Sequence, residues 1–80
     1  MMDKPNPMLP PDPDGQNDLR SAWAQEAICA FMEQTGTEPE DALADLLCDL
    51  MHWADRNPMI PFSRALDRAK SNYQAETAES

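Results

Sequence analysis

Eight prolines decide where this 80-residue chain can form hydrogen-bonded structure. Pro5, Pro7, Pro10, Pro11 and Pro13 crowd the beginning, and each lacks the N–H that a helix or sheet ladder needs. Asp12, Asp14 and Gly15 add turn chemistry, while Met8 and Leu9 offer too little apolar surface to repay the ordering of that stretch. Residues 1–17 are therefore expected to form a disordered Pro/Asp-rich leader. An extended arm for an aromatic groove is the alternative, although Pro7, Pro10, Pro11 and Pro13 follow a PxxP pattern only loosely. Pro39, Pro58 and Pro61 stand at or near the ends of periodic segments and punctuate a single domain, residues 18–76, ahead of a frayed tail at 77–80.

The periodic segments are helical, and no stretch alternates as a strand would. The first, about 19–35, has Asn17 or Asp18 placed to cap it and Gly36 to close it in a left-handed conformation. Trp23, Ala24, Ala27, Ile28 and Phe31 share one side, and Trp23 and Phe31 are expected in the core. In the second, about 38–56, Thr37 and Glu40 have the spacing of a capping box, and Pro39 lies in the first turn. Leu43, Leu46, Leu47, Leu50 and Ala54 recur at intervals of three and four, the pattern of a core stripe. Arg56 suits the carbonyl end, Asn57 a left-handed cap, and Pro58 stops the helix. The third, about 62–76, groups Phe62, Ala65, Leu66, Ala69 and Tyr73, with Pro61 at its first position or Ser63 as a second start. Short links predict neighbours that are antiparallel or steeply crossed. The fold class is all-α, a compact three-helix unit.

A chain of this length leaves no room for a multidomain enzyme, and its core will be thin. Fifteen acidic against six basic residues give a net charge of −9, which argues against direct binding to nucleic acid and for a basic partner. The acidity is uneven: residues 1–18 carry −3, residues 19–57 carry −6 and residues 58–80 are neutral. Uneven fields steer association. No segment has the ~18 consecutive apolar residues of a membrane span, and the N-terminus lacks signal-peptide character, so a cytoplasmic protein is expected. Cys29 and Cys48 lack paired spacing and read as free thiols of a reducing compartment, with a bridge open only if their Cα atoms approach within about 7 Å.

The residues most suggestive of function are Asp41, Asp45 and Asp49, one per turn along the second helix in steps of about 6 Å. Like charges at this spacing repel, so the row is either a solvated face, neutralised in part by Arg64 and Arg68, or an edge held for a basic partner. Its step is of the order of phosphate spacing along a nucleic-acid strand, so the row would suit a nucleic-acid groove on another protein. Trp53 borders the row; it is read first as core and, if part of the ring is exposed, as an anchor for a partner's Arg or apolar side chain. Cys48 and His52 with Asp45 and Asp49 make a poor metal set, since structural zinc takes four ligands dominated by Cys and His. As a catalytic pair Cys48 and His52 lack a pocket and an oxyanion donor set. No phosphate loop, HExxH, GxSxG or EF-hand pattern is present. No catalytic residue, metal or cofactor is expected.

The run Asp45-Leu46-Leu47-Cys48-Asp49-Leu50-Met51-His52-Trp53, followed by Phe62, Ala65, Leu66, Arg68, Ala69, Tyr73, Ala75 and Glu76, resembles a family of small uncharacterised acidic proteins. These are carried by bacterial phages, plasmids and other mobile elements. The likeness spans roughly residues 31–76 and departs from the family where Pro61 and Ser63 stand in place of acidic residues around Phe62. It implies a mobile-element accessory protein, and by analogy an anti-CRISPR or other anti-defence inhibitor acting on a host complex. The expected function is a non-enzymatic, acidic protein-interaction module that presents Asp41, Asp45, Asp49 and Trp53 to the basic surface of a larger complex. The alternative is a homodimeric structural or regulatory helical protein, since three short helices bury Trp23, Phe31, Leu50, Met51 and Trp53 incompletely.

Overall fold

The computed structural model describes residues 9–78. Pro5, Pro7 and Met8 of the expected leader, and the final two residues, lie outside that range. Three helices follow one another: α1 (Gln16–Thr35), α2 (Pro39–Asp55) and α3 (Phe62–Thr77), and no strand occurs among the described residues. The all-α, three-helix class is the one the sequence dictates. Gln16 and Asn17, placed in the leader by composition, belong to the first turn of α1, and Thr77 completes α3.

The helix ends show how local chemistry sets the boundaries. Neither Asn17 nor Asp18 caps α1. Asp12 does so instead, from before a turn that Gly15 closes at φ 73°. Its carboxylate accepts the Asn17 N–H at 3.0 Å and the Asp18 N–H at 3.2 Å, satisfying two first-turn donors. At the other end Gly36, at φ 72°, donates its N–H to the Met32 carbonyl, the left-handed closure expected of it.

The capping box at Thr37 and Glu40 does not form. A residue before proline is kept out of the helical region, so Glu38 adopts φ −73°, ψ 152° and becomes the N-cap, with Pro39 at the first helical position. Thr37 lies one residue too early, and its hydroxyl pairs with that of Thr35 at 2.7 Å. At the end of α2 Asn57 is not left-handed, since no residue other than glycine has positive φ among those described. Its side-chain amide donates to the Trp53 carbonyl at 2.8 Å, and Arg56 donates to that of His52 at 3.0 Å. Both side chains satisfy carbonyls the helix leaves open. Pro61 stands one residue outside α3 as its N-cap, and Phe62 begins the helix.

Glu76, in the last turn of α3, meets the first turns of α1. Its carbonyl accepts from Asn17 Nδ2 at 2.8 Å, and its carboxylate lies 3.6 Å from Arg20 Nε. In an up–down–up bundle these ends would lie at opposite ends, about 25 Å apart for helices of this length. The third helix therefore crosses steeply instead of running back along α2. The result is a thin slab with extents of 42 × 29 × 17 Å.

Little is enclosed by it. Ala42, 1% exposed, and Ala54 are the buried apolar residues, and among the described residues no large side chain is fully covered. Ile28, Phe31, Met32, Leu46 and Phe62 are half-buried. The Leu stripe expected in the core is mostly open, with Leu43 62% exposed and Leu47 and Leu50 also outside. Trp23, expected in the core, is 61% exposed. Periodicity gives the apolar face of a helix. It does not supply a neighbour to cover that face, and α2 is closely covered only at Ala42 and Ala54, where small side chains admit close approach.

Candidate functional site: an acidic row on α2

Between Glu38 and Asp55 the sequence holds six acidic residues and no Lys or Arg. Within this tract Asp41, Asp45 and Asp49 are all exposed, and their carboxylates make no hydrogen bond or ion pair among the described residues. Arg64 and Arg68, which the sequence offered as neutralising partners, form no ion pair with them; the ion pair present among the described residues is Arg20–Glu76. The row is thus neither covered by the chain's own arginines nor turned into a seam between helices.

Each step of four residues advances the row about 6 Å and rotates it about 40° around the helix. The next residue in that series is Trp53, so the acidic edge winds toward an indole. Trp53 is 51% exposed, which corrects its first reading as core and leaves half the ring for contact with another surface. An indole at the end of a carboxylate row suits a guanidinium, which can stack on the ring while its charge faces the acids.

Apolar residues stand two positions after each acid: Leu43 after Asp41, Leu47 after Asp45, Met51 after Asp49. Two residues turn the helix by about 200°, so acids and apolar side chains occupy opposite faces of α2. The three acids and Leu43, Leu47 and Met51 are exposed, while Ala54 on the apolar side is buried. The helix is thus two-sided, with an acidic row on one side and a mainly apolar stripe, begun by Glu40, on the other.

Cys48 and His52 lie one turn apart and are exposed, and Cys29 and Cys48 are free thiols. Among the described residues no three His, Cys, Asp or Glu side chains gather in a way that would hold a metal ion. An open groove of about 330 Å³ runs between the leader and the adjoining ends of α1 and α3, with Leu9, Pro10 and Tyr73 on its walls. Sequence reasoning did not anticipate it, because it depends on Asn17 reaching Glu76 across 59 positions. Several of its polar residues are engaged: Asp12 caps α1, and Asn17 Oδ1 accepts from Arg20 at 2.7 Å, contacts that stabilise the junction.

No protein-family model matches the chain, and the searches of curated proteins and of solved structures gave no match. No helix among the described residues is long and apolar enough to cross a membrane.

Proposed function

We propose that the protein is a non-enzymatic interaction module whose acidic row, Asp41, Asp45 and Asp49 with Trp53 at its end, binds a basic surface on a larger protein complex. The observation that carries this reading is the state of the three carboxylates. They are exposed, spaced one turn apart without a cation between them, and left unpaired among the described residues although Arg64 and Arg68 are available in the same chain. Like charges so arranged disfavour the helix that bears them. A partner that supplies Arg and Lys converts this local cost into binding, and a field concentrated on one edge raises the rate of encounter.

In its most concrete form the reading is that of an anti-CRISPR-type inhibitor from a mobile element. It would occupy a surface that a host defence complex uses for DNA or RNA, with carboxylates standing where phosphates would. The ~6 Å step of the row supports this version.

The test is capture of partners from bacterial lysate by the full chain, run beside two variants of equal charge change. Asp45→Asn with Asp49→Asn alters the row, whereas Glu26→Gln with Glu33→Gln alters exposed acids of α1. The proposal expects one partner retained by the unmodified chain and the α1 variant, lost by the α2 variant, lost at raised salt, and displaced by nucleic acid. Equal retention by all three chains would refute it.

A further inference from the structure

α3 is covered at its two ends and open between them. Phe62 at its start and Glu76 and Thr77 at its close are half-buried, while every residue from Ser63 to Ala75 is exposed. The start is tied to α2 by the chain itself, through a link in which Pro58 and Pro61 lack backbone donors and the Ile60 N–H donates to the Asn57 carbonyl at 2.9 Å. Met59, in the same link, is 92% exposed and packs against almost nothing. The far end is tied to α1 by polar contacts. Asn17 Nδ2 donates to the Glu76 carbonyl at 2.8 Å, and Asn17 Oδ1 accepts from Arg20, whose Nε lies 3.6 Å from the Glu76 carboxylate. That carbonyl is among the last four of α3, which the helix itself cannot satisfy, so a side chain of α1 caps α3. The leader sets this side chain in place: Asp12 accepts the N–H groups of Asn17 and Asp18, and the Pro11 carbonyl lies 3.5 Å from Asn17 Nδ2.

We infer that α3 is a hinged arm, and that Asn17, positioned by Pro11 and Asp12 of the leader, is the clasp that holds it shut. Glu76 stands about 21 Å beyond Phe62 along the helix. A rotation of about 10° at the link moves it by about 4 Å, more than a hydrogen bond can span. A neutral hydrogen bond and an exposed ion pair restrain a lever of that length, and the exposed pair adds little in water. α1 and α2 touch each other directly, with Ile28, Phe31, Met32 and Leu46 half-buried, so opening of the arm leaves the acidic row as it stands. Any event that draws Asp12 away from the first turn of α1 loosens the clasp, which makes the leader a control on α3. The inference is independent of the partner proposed for the acidic row.

Amide hydrogen exchange of the full chain, resolved by helix, tests it. Once free, a helix of 16 residues is marginal in water, so an opened arm frays and its amides exchange. In the unmodified chain α3 should exchange through an opening that leaves α1 and α2 protected and depends less on denaturant than theirs. Asn17→Ala removes the donor to Glu76 while favouring α1, since Ala is the better helix former. It should speed α3 exchange about 2- to 10-fold, the factor set by one lost hydrogen bond, with α1 and α2 unchanged. Glu76→Gln keeps the backbone carbonyl and should have the smaller effect. Equal α3 exchange in Asn17→Ala and the unmodified chain would overturn the inference, as would equal acceleration in all three helices, the mark of one cooperative unit. Should Asn17→Ala fail to fold, the unmodified chain decides the matter alone: α3 exchanging at the same rate and with the same denaturant slope as α2 would overturn it.

Discussion

If the acidic row exists for a partner, the isolated protein should be more stable without it. Asp45 and Asp49 are the informative pair to change. Asp41 lies in the first turn of α2, where a negative charge favours the helix dipole, so it is left in place. Replacing Asp45 and Asp49 by Asn removes two like-charge pairs at one-turn spacing, 41–45 and 45–49, and these cost roughly 0.2–0.5 kcal/mol each. Asn and Asp have similar helix propensity, so little is lost in exchange. The sum, about 0.4–1 kcal/mol, corresponds to a rise in melting temperature of roughly 2–8 °C for a domain this small. Circular dichroism melts at fixed protein concentration would show it, at 20 mM and at 1 M salt. The difference between variant and unmodified chain should shrink at 1 M, where the screening length is about 3 Å. A lower melting temperature for the variant at both salts would refute the reasoning, because the carboxylates would then serve the fold itself.

Further outcomes follow from the helix ends and from the covered position at Ala42. Asp12→Ala deprives two first-turn N–H groups of their acceptor and should destabilise the chain by about 0.5–2 kcal/mol, read as a lower melting temperature. Gly36→Ala forces a side chain into φ 72° with open space around it, so its cost is conformational, about 1–2 kcal/mol, and Gly36→Asn should cost less. Ala42→Leu overpacks the best-covered position of α2 and should cost about 1–3 kcal/mol in denaturant unfolding. Zinc at equimolar concentration should leave the melting temperature of the unmodified chain and of His52→Ala unchanged.

The helices were legible because their signals are local. Prolines exclude ladders, Gly36 closes α1, and the Leu spacing of α2 marks one face. The exposed acidic row was legible for the same reason, since three carboxylates one turn apart on a helix fall on one edge wherever the helix goes. What escaped the sequence depends on partners distant along the chain. The Asp12 cap acts across a turn, and Asn17 and Arg20 reach Glu76 at the far end of α3. The importance of Ala42 was hidden because a small residue becomes a core position only when another helix approaches it. The capping box is different: the restriction that Pro39 places on Glu38 is local, and it overrides the Thr37–Glu40 spacing.

The most direct test of the central claim is the salt dependence of affinity between the captured partner and two forms of the full chain, unmodified and Asp41→Asn/Asp45→Asn/Asp49→Asn. The account predicts that binding by the unmodified chain weakens steeply as salt rises, and that the triple variant binds feebly with a shallow dependence. Equal affinities and equal salt slopes would contradict it.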